Sequence, residues 1–311
     1  MTEKWKDRII SVVGTTVAMA IIFGTIEAWL TWGPIDAVRA FALSGNRVLV
    51  IEENSSGEED PGGVRVVAVD PKSGEVLQRK RIDDERWVAF SGELLWLRTG
   101  DGLLARDAST LAVKKSAKGV RVANPVLAVL EGYETGCFDV PSQAVRFQSQ
   151  DGSYLAFTLA TESVGRVESN GCTTGTVDDW KLALSDGREL SLRSVPASSR
   201  SEVIGADGVA LGVSGLELKF LRVAPESMAG DALVVRTTGT GEGAATELVR
   251  VDVAGKKERW ATRLTPRRTH FDQVELKDGL LFVRDPQVVS ALDLSTGELL
   301  WQRGPSSARI R

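Results

Sequence analysis

The sequence predicts an all-β fold assembled from repeated four-stranded units, set behind one membrane-length N-terminal segment. Three observations predict it. A run of uncharged residues lies near the N-terminus; short apolar strands alternate with Gly, Asp, Ser and Asn turns over the rest of the chain; and an Asp–Gly turn pattern recurs at roughly 40-residue spacing.

Residues 9–26 (IISVVGTTVAMAIIFGTI) carry no charge. As a helix rising about 1.5 Å per residue they span about 27 Å, close to a bilayer core. Trp29 and Trp32 follow, suited to a membrane interface, and Lys4, Lys6 and Arg8 precede, favouring an N-terminus in the cytoplasm. The Ala18–Ala20 A-x-A lies inside the run and no Cys follows to accept a lipid. Residues 1–34 therefore read as an uncleaved signal anchor in the inner membrane, with residues 35–311 in the periplasm or outside. Secretion after cleavage is the alternative, and a buried helix a third reading. Ala20, Gly24 and Ala28 have small-xxx-small spacing, which would let two such helices pack as a weak dimer; ordinary small residues are the plainer reading.

The 311 residues hold 38 Lys plus Arg against 42 Asp plus Glu, for a net charge of −4. The first 34 residues are balanced, so the whole excess belongs to the domain at 35–311. With 42 % hydrophobic residues the chain is not a disordered one, and without a basic excess it is not expected to bind nucleic acid. The 31 Gly against 10 Pro indicate many tight turns.

Strands are expected at 47–51 (RVLVI), 93–97 (ELLWL), 232–236 (ALVVR) and 280–283 (LLFV). The turns before them, Ser44-Gly45-Asn46, Ser91-Gly92 and Lys277-Asp278-Gly279, suit hairpins because Gly and Asn accept positive φ. Segments 67–77 and 290–301 share a strand, an Asp-led turn, a Gly and a second strand. A third copy runs from 249 to Trp260, and Asp252–Trp260 matches Asp293–Trp301 in spacing. A worn copy at 104–111 has Leu in place of Gly. Aligned on the turn, with Asp-Gly hairpins included, the units fall at 74, 111, 152, 187, 255 and 297. The long gap before 255 suggests another unit around Gly215. This predicts about seven four-stranded blades, with six the alternative count, and so a β-propeller; a β-sandwich is the competing fold.

The pattern Ala-x-Asp-x-x-Thr-Gly-x-x-x-Trp resembles the repeat of PQQ-like, quinoprotein-type β-propellers. Residues 291–301 (ALDLSTGELLW) match it almost completely, 68–77 match it without the Trp, and 251–260 match it one residue short. The resemblance implies that the Trp docks on a neighbouring blade and that turn Asp, Thr and Gly close the last hairpin. The structural residues it marks here are Asp70, Gly74, Asp107, Asp252, Gly255, Trp260, Asp293, Thr296, Gly297 and Trp301. In architecture the chain is similar to the membrane-attached scaffold of the outer-membrane β-barrel assembly machinery, which is lipid-anchored where this chain has a helix. Quinoprotein dehydrogenases of the repeat family use PQQ over Ca²⁺, an adjacent Cys pair and a catalytic Asp. This chain has no adjacent Cys, so the resemblance implies the scaffold and not the catalysis.

Few other residues suggest chemistry. Cys137 and Cys172 sit beside Gly in loop-like sequence and would form a disulfide outside the cytoplasm; two buried thiols, or a redox or metal pair, are the alternatives. His270 is the one histidine, too few for a zinc site or triad. Residues 239–244 fit G-x-G-x-x-A, but a strand follows where a dinucleotide site needs a helix, so they read as a hairpin tip. The acidic segment 52–60 lacks Ca²⁺-loop spacing and reads as a solvated loop. Arg263, Arg267 and Arg268 are candidate interface residues. The expectation is a membrane-tethered, extracytoplasmic propeller binding proteins or scaffolding the cell envelope, with no catalytic residues, metal or cofactor. The alternatives are a cofactor- or Ca²⁺-binding propeller enzyme using channel carboxylates, and the sensor half of a larger complex.

Overall fold

In a computed structural model of the chain, alternating apolar segments and Gly- or Asp-led turns fold into six four-stranded antiparallel sheets among the described residues. The structure describes residues 37–304, except 54–63, 83–85, 131–136, 140–141, 150, 170, 172–180, 197, 222–227, 229, 241–243, 265–270, 272 and 286; of 86–87 and 128–130 the backbone alone is described. Each sheet uses four consecutive strands, so each is one blade. Blade 1 holds β1 (Ala37–Ser44), β2 (Arg47–Glu53), β3 (Val64–Val69) and β4 (Val76–Ile82). Blade 2 holds β5 (Arg86–Ser91), β6 (Leu94–Thr99), β7 (Gly102–Asp107) and β8 (Val113–Lys115). Blade 3 holds β9 (Cys137–Asp139), β10 (Ala144–Gln148), β11 (Tyr154–Thr158) and β12 (Ser163–Arg166), and blade 4 holds β13 (Lys181–Ala183), β14 (Glu189–Ser194), β15 (Ser201–Ile204) and β16 (Ala210–Gly215). Blade 5 holds β17 (Glu217–Leu221), β18 (Asp231–Thr238), β19 (Ala245–Asp252) and β20 (Lys257–Leu264), and blade 6 holds β21 (Gln273–Lys277), β22 (Leu280–Arg284), β23 (Val289–Asp293) and β24 (Leu299–Arg303).

The expected hairpin turns form as read: Gly45, Gly92, Asp278 and Gly279 all take positive φ. Among the described residues the blade count is six, the alternative count, rather than seven. Gly152 lies in the β10–β11 turn and Gly187 in the β13–β14 turn, so neither marks the last hairpin of a blade. Gly215 ends β16 and opens no further unit. Asp-Gly satisfies any tight β-turn; taking Gly187 in place of Gly208 stretches the apparent gap before 255 and suggests a unit around Gly215 that does not form. The last-hairpin position of blades 3 and 4 is held by Glu162 and Gly208, both at positive φ.

The core lies in the seams between blades. Buried apolar clusters join blades 4 and 5, 5 and 6, 6 and 1, 1 and 2, and 2 and 3. Phe41, Val48 and Val67 of blade 1 pack with Phe282, Ala291 and Trp301 of blade 6, which brings the two ends of the array together. The seam between blades 3 and 4 carries no such cluster among the described residues. A short helix, α1 (Ala117–Ala123), follows β8 and was not expected. Ser116 caps it by accepting a hydrogen bond from Gly119 N at 3.1 Å, and Val120 fills the blade 2–3 seam.

The membrane-length run at 9–26, its Ala20, Gly24 and Ala28, and the rest of the segment 1–34 lie outside the described residues. Among the described residues no helix is long and apolar enough to cross a membrane.

Candidate functional site

The repeat residues build one turn, used again and again. Asp70 Oδ1 accepts from Lys72 N at 3.0 Å and from Ser73 N at 2.8 Å. Asp107 does the same for Ser109 and Thr110, and Asp293 for Ser295 and Thr296. Gly74, Leu111 and Gly297 then donate back to the carbonyls of Asp70, Asp107 and Asp293 at 2.8–2.9 Å. Thr296 Oγ1 also receives Glu298 N at 3.1 Å. The bonds to Oδ1, which the Ser109 and Ser295 hydroxyls also make at 2.6 and 2.5 Å, favour the ionised carboxylate and hold it below its ordinary pKa: the Ser73 backbone donor is the largest cause at Asp70, the Ser295 hydroxyl at Asp293 and the Ser109 hydroxyl at Asp107.

Blade 5 departs from the expected alignment. Lys256, not Gly255, holds the positive-φ position, four residues after Asp252 as Gly297 is four after Asp293. The unit is therefore full length. Gly255 serves close approach: its N donates to Asp252 Oδ1 at 2.7 Å, and a Cβ there would fall 2.6 Å from Asp252 Oδ2. The carboxylate of Asp252 is held below its ordinary pKa by that bond.

Four residues after the positive-φ position of each last hairpin stands the residue that corresponds to the docking Trp of blades 5 and 6. A bulge sets the register: Trp301 faces Ala291, Trp260 faces Arg250, Gln78 faces Ala68 and Lys115 faces Ala105. Trp260 lies on Gly297, where a Cβ would come 2.6 Å from its ring, and its Nε1 donates to Leu294 O at 2.8 Å. Trp301 lies on Gly74 in the same way, its Nε1 donating to Pro71 O at 2.8 Å. Elsewhere the same two positions are filled differently. Leu111 is buried opposite exposed Gln78; Lys115 Nζ pairs with Glu162 Oε2 at 2.7 Å; and Gly212 of blade 4 meets the backbone of Lys256, where a Cβ would lie 3.4 Å from its carbonyl oxygen.

The inner strands enclose a cavity of about 410 Å³, lined from blades 1, 2, 3 and 6 and including Phe41, Phe90, Phe138, Gln273, Glu275 and Arg284. Its polar groups stitch inner strands together. Gln273 Oε1 accepts from Phe41 N at 3.1 Å, and its Nε2 donates to Phe41 O at 2.7 Å and to Glu275 Oε1 at 2.6 Å. Arg284 Nη1 donates to Val38 O at 2.9 Å. Burial raises the pKa of the Glu275 carboxyl above the ordinary carboxylate value.

Glu52 corrects the reading of 52–60 as a solvated loop. It is the penultimate residue of β2, at 0 % exposure, paired with Arg65 at 2.5 Å and with Arg303 of blade 6 at 3.4 Å. Burial lowers the pKa of the Arg303 guanidinium, against the pull of Glu52. Sequence reasoning missed this cluster because its partners come from other strands. Residues 54–60 lie outside the described residues, as do Arg267, Arg268 and His270, while Arg263 is exposed on β20. Cys137 opens β9 and is disulfide-bonded; Cys172, the other cysteine of the chain, lies outside the described residues. Thr238 at the end of β18 pairs with Ala245 at the start of β19, so the two strands form a hairpin; residues 241–243 between them lie outside the described residues. Among the described residues no group of three or more His, Cys, Asp or Glu is placed to hold a metal.

No protein-family model matches the chain, and no curated protein matches its sequence. Solved structures do. Chaetomium thermophilum Sqt1, bound to the N-terminus of the ribosomal protein L10, is 14 % identical with a TM-score of 0.35, over 88 % of this chain and 89 % of that one. Kluyveromyces lactis Hsv2 is 8 % identical with a TM-score of 0.31, over 83 % and 74 %. A quinohemoprotein alcohol dehydrogenase from Comamonas testosteroni is 14 % identical with a TM-score of 0.23, over 86 % of this chain and 59 % of that one. At such identities and TM-scores none of these likenesses bears on what the chain does.

Proposed function

We propose that the chain is a membrane-tethered, extracytoplasmic β-propeller that binds other proteins as a scaffold of the cell envelope. The observation that carries the binding role is the use of the channel's polar groups. Gln273 and Arg284 hold β1 to blade 6 and Glu275 accepts from Gln273 on its own strand, which leaves the faces and rim of the ring as the surfaces offered to partners. The tether rests on the uncharged run at 9–26 behind Lys4, Lys6 and Arg8. The disulfide at Cys137, which we take to join Cys172, suits an oxidising compartment. Photo-crosslinking from exposed blade positions of the full-length protein in native membranes tests this reading. Repeated capture of defined envelope proteins supports it; capture of none, or a purely cytosolic location, sinks it.

A second reading, an enzyme or cofactor-binding propeller, is favoured by Glu275, whose half-buried carboxyl in the cavity is pushed toward the protonated form a general acid needs. Purified protein carrying a chromophore, or stabilised by Ca²⁺ in a manner lost in Glu275→Gln, would establish it.

A further inference from the structure

Outer strand β4 is the longest of the outer strands that leave most of their side chains exposed; β8 and β12, of three and four residues, are the others. In β20, by contrast, exposed residues alternate with half-buried or buried ones, Trp260 and Leu264 being buried in the seams. In β4 the residues from Val76 to Lys80 are all exposed, Val76 at 38 % and Leu77 at 48 %, and only Ile82 is buried. The seam explains it. Gln78 stands where blades 5 and 6 place Trp, and Leu111 fills the turn position opposite, so Ile82 alone draws β4 down onto blade 2. As the terminal strand of its sheet, β4 presents one row of backbone N–H and C=O groups outward.

Arg79, Lys80 and Arg81 follow one another along this edge, in a chain of net charge −4. Strand alternation sets Arg79 and Arg81 on one face and Lys80 on the other, beside the side of Ile82 that packs toward blade 2. Cations on both faces of a strand fit charges ranged along a paired strand better than a flat anionic membrane, which meets one face only. They also repel a second copy of the same strand.

We propose that β4 is a docking edge for an extended acidic segment of a partner protein, which adds to blade 1 as a fifth strand. Main-chain hydrogen bonds supply affinity, while Arg79, Lys80 and the exposed Val76 and Leu77 select an acidic sequence with interspersed apolar residues. The proposal rests on the protein-binding reading and names its site and partner class.

The test uses the full-length protein in uncharged detergent and a fluorescent peptide in which Glu-Glu pairs alternate with Val-Val pairs, so that both faces of the extended strand carry Glu. Binding that weakens with salt is expected. The double substitution Arg79→Glu with Lys80→Glu should weaken it by about tenfold or more, because like charges then face each other across the edge. Val76→Thr with Leu77→Thr, which keeps the charges, should weaken it by a smaller factor. The same peptide N-methylated at alternate amides, which cannot pair as a strand, should not bind. Equal binding of a Lys–Val peptide, indifference to the charge reversal, a reversal that abolishes only binding to phosphatidylglycerol vesicles, or copy-to-copy crosslinks through β4 would each overturn the proposal. If wild type and the reversed variant crosslink the same envelope partners, β4 is not the docking edge and the scaffold reading stands. If wild type captures none, the scaffold reading itself fails.

Discussion

The ring has two unlike sides. From blade 5 through blade 6 to blade 1, each seam is closed by a Trp laid on a Gly, with the indole N–H bonded to a turn carbonyl. From blade 1 through blade 4, the same two positions hold Gln78 with Leu111, Lys115 with Glu162, and Arg166 with Gly208. The backbone geometry is shared, because every one of these turns places a residue at positive φ, Leu111 and Glu162 included. What the fold demands of a seam is complementary volume or charge across two fixed points, and Trp on Gly is one solution among several. The side that uses it is buried and continuous, whereas the blade 3–4 seam lacks an apolar cluster among the described residues.

The largest expected effect comes from breaking a Trp–Gly seam. Gly297→Val puts a branched side chain where a single Cβ already lies 2.6 Å from the Trp260 ring, at φ +76. Overpacking and backbone strain together predict a loss of about 3–5 kcal/mol in urea unfolding. Gly208→Ala, at φ +75 with no atom within 4 Å of its Cβ, should lose only the strain, about 1–2 kcal/mol. Equal losses at the two sites would mean that the seams do not differ as described.

Next in size is the disulfide. If Cys137 joins Cys172, the bridge closes a loop beside the seam with the least apolar packing. Cys137→Ser should then lower stability by roughly 3 kcal/mol on the chain-entropy account. Hydrogen exchange should localise the loosening to blades 3 and 4, leaving β20 and β24 protected. Uniform loss of protection around the ring would contradict the two-sided picture.

The two sides also explain what could be read in the sequence. Gly74, Gly297, Trp260 and Trp301 spell the motif openly, so the propeller and its docking rule were legible from them. Glu162 and Lys256 were not, because no local rule places Glu or Lys at positive φ; they are held there by the turn around them. Gly152 and Gly187 were legible as turns but not as which turn, and the count of seven followed. Glu52 looked like one more acid in an acidic run, since Arg65 and Arg303 meet it only after β3 and β24 are in place. A channel follows from the propeller itself, but the residues that line it could not be foreseen, because they come from four blades.

Acid should affect both sides, through the turns. Asp70, Asp107 and Asp293 have folded pKa values below the ordinary value of 3.8, so their contribution is present above about pH 4 and is lost as pH falls through the folded values. Amide protection at Ser73, Thr110 and Thr296 should decline below about pH 4, while the seam cores persist longer. A decline that starts near neutrality would assign the turns' acid response to other groups.

The smallest effect is the most discriminating. Lys115 and Glu162 are each about one-third exposed, so their ion pair is screened, and a double-mutant cycle with Lys115→Met and Glu162→Gln should return a coupling of about 0.5–1 kcal/mol. Replacing both at once by Lys115→Trp and Glu162→Gly writes the blade 5–6 solution into the blade 2–3 seam. Gly at a positive-φ position removes the strain carried by Glu162, and the indole gains the face that Gly exposes. The pair of changes should raise the urea midpoint, whereas Lys115→Trp alone, facing the Glu162 side chain, should lower it. If the double variant is no more stable than Lys115→Trp alone, the two positions do not form one unit, and the rule that relates the six seams is wrong at blade 3.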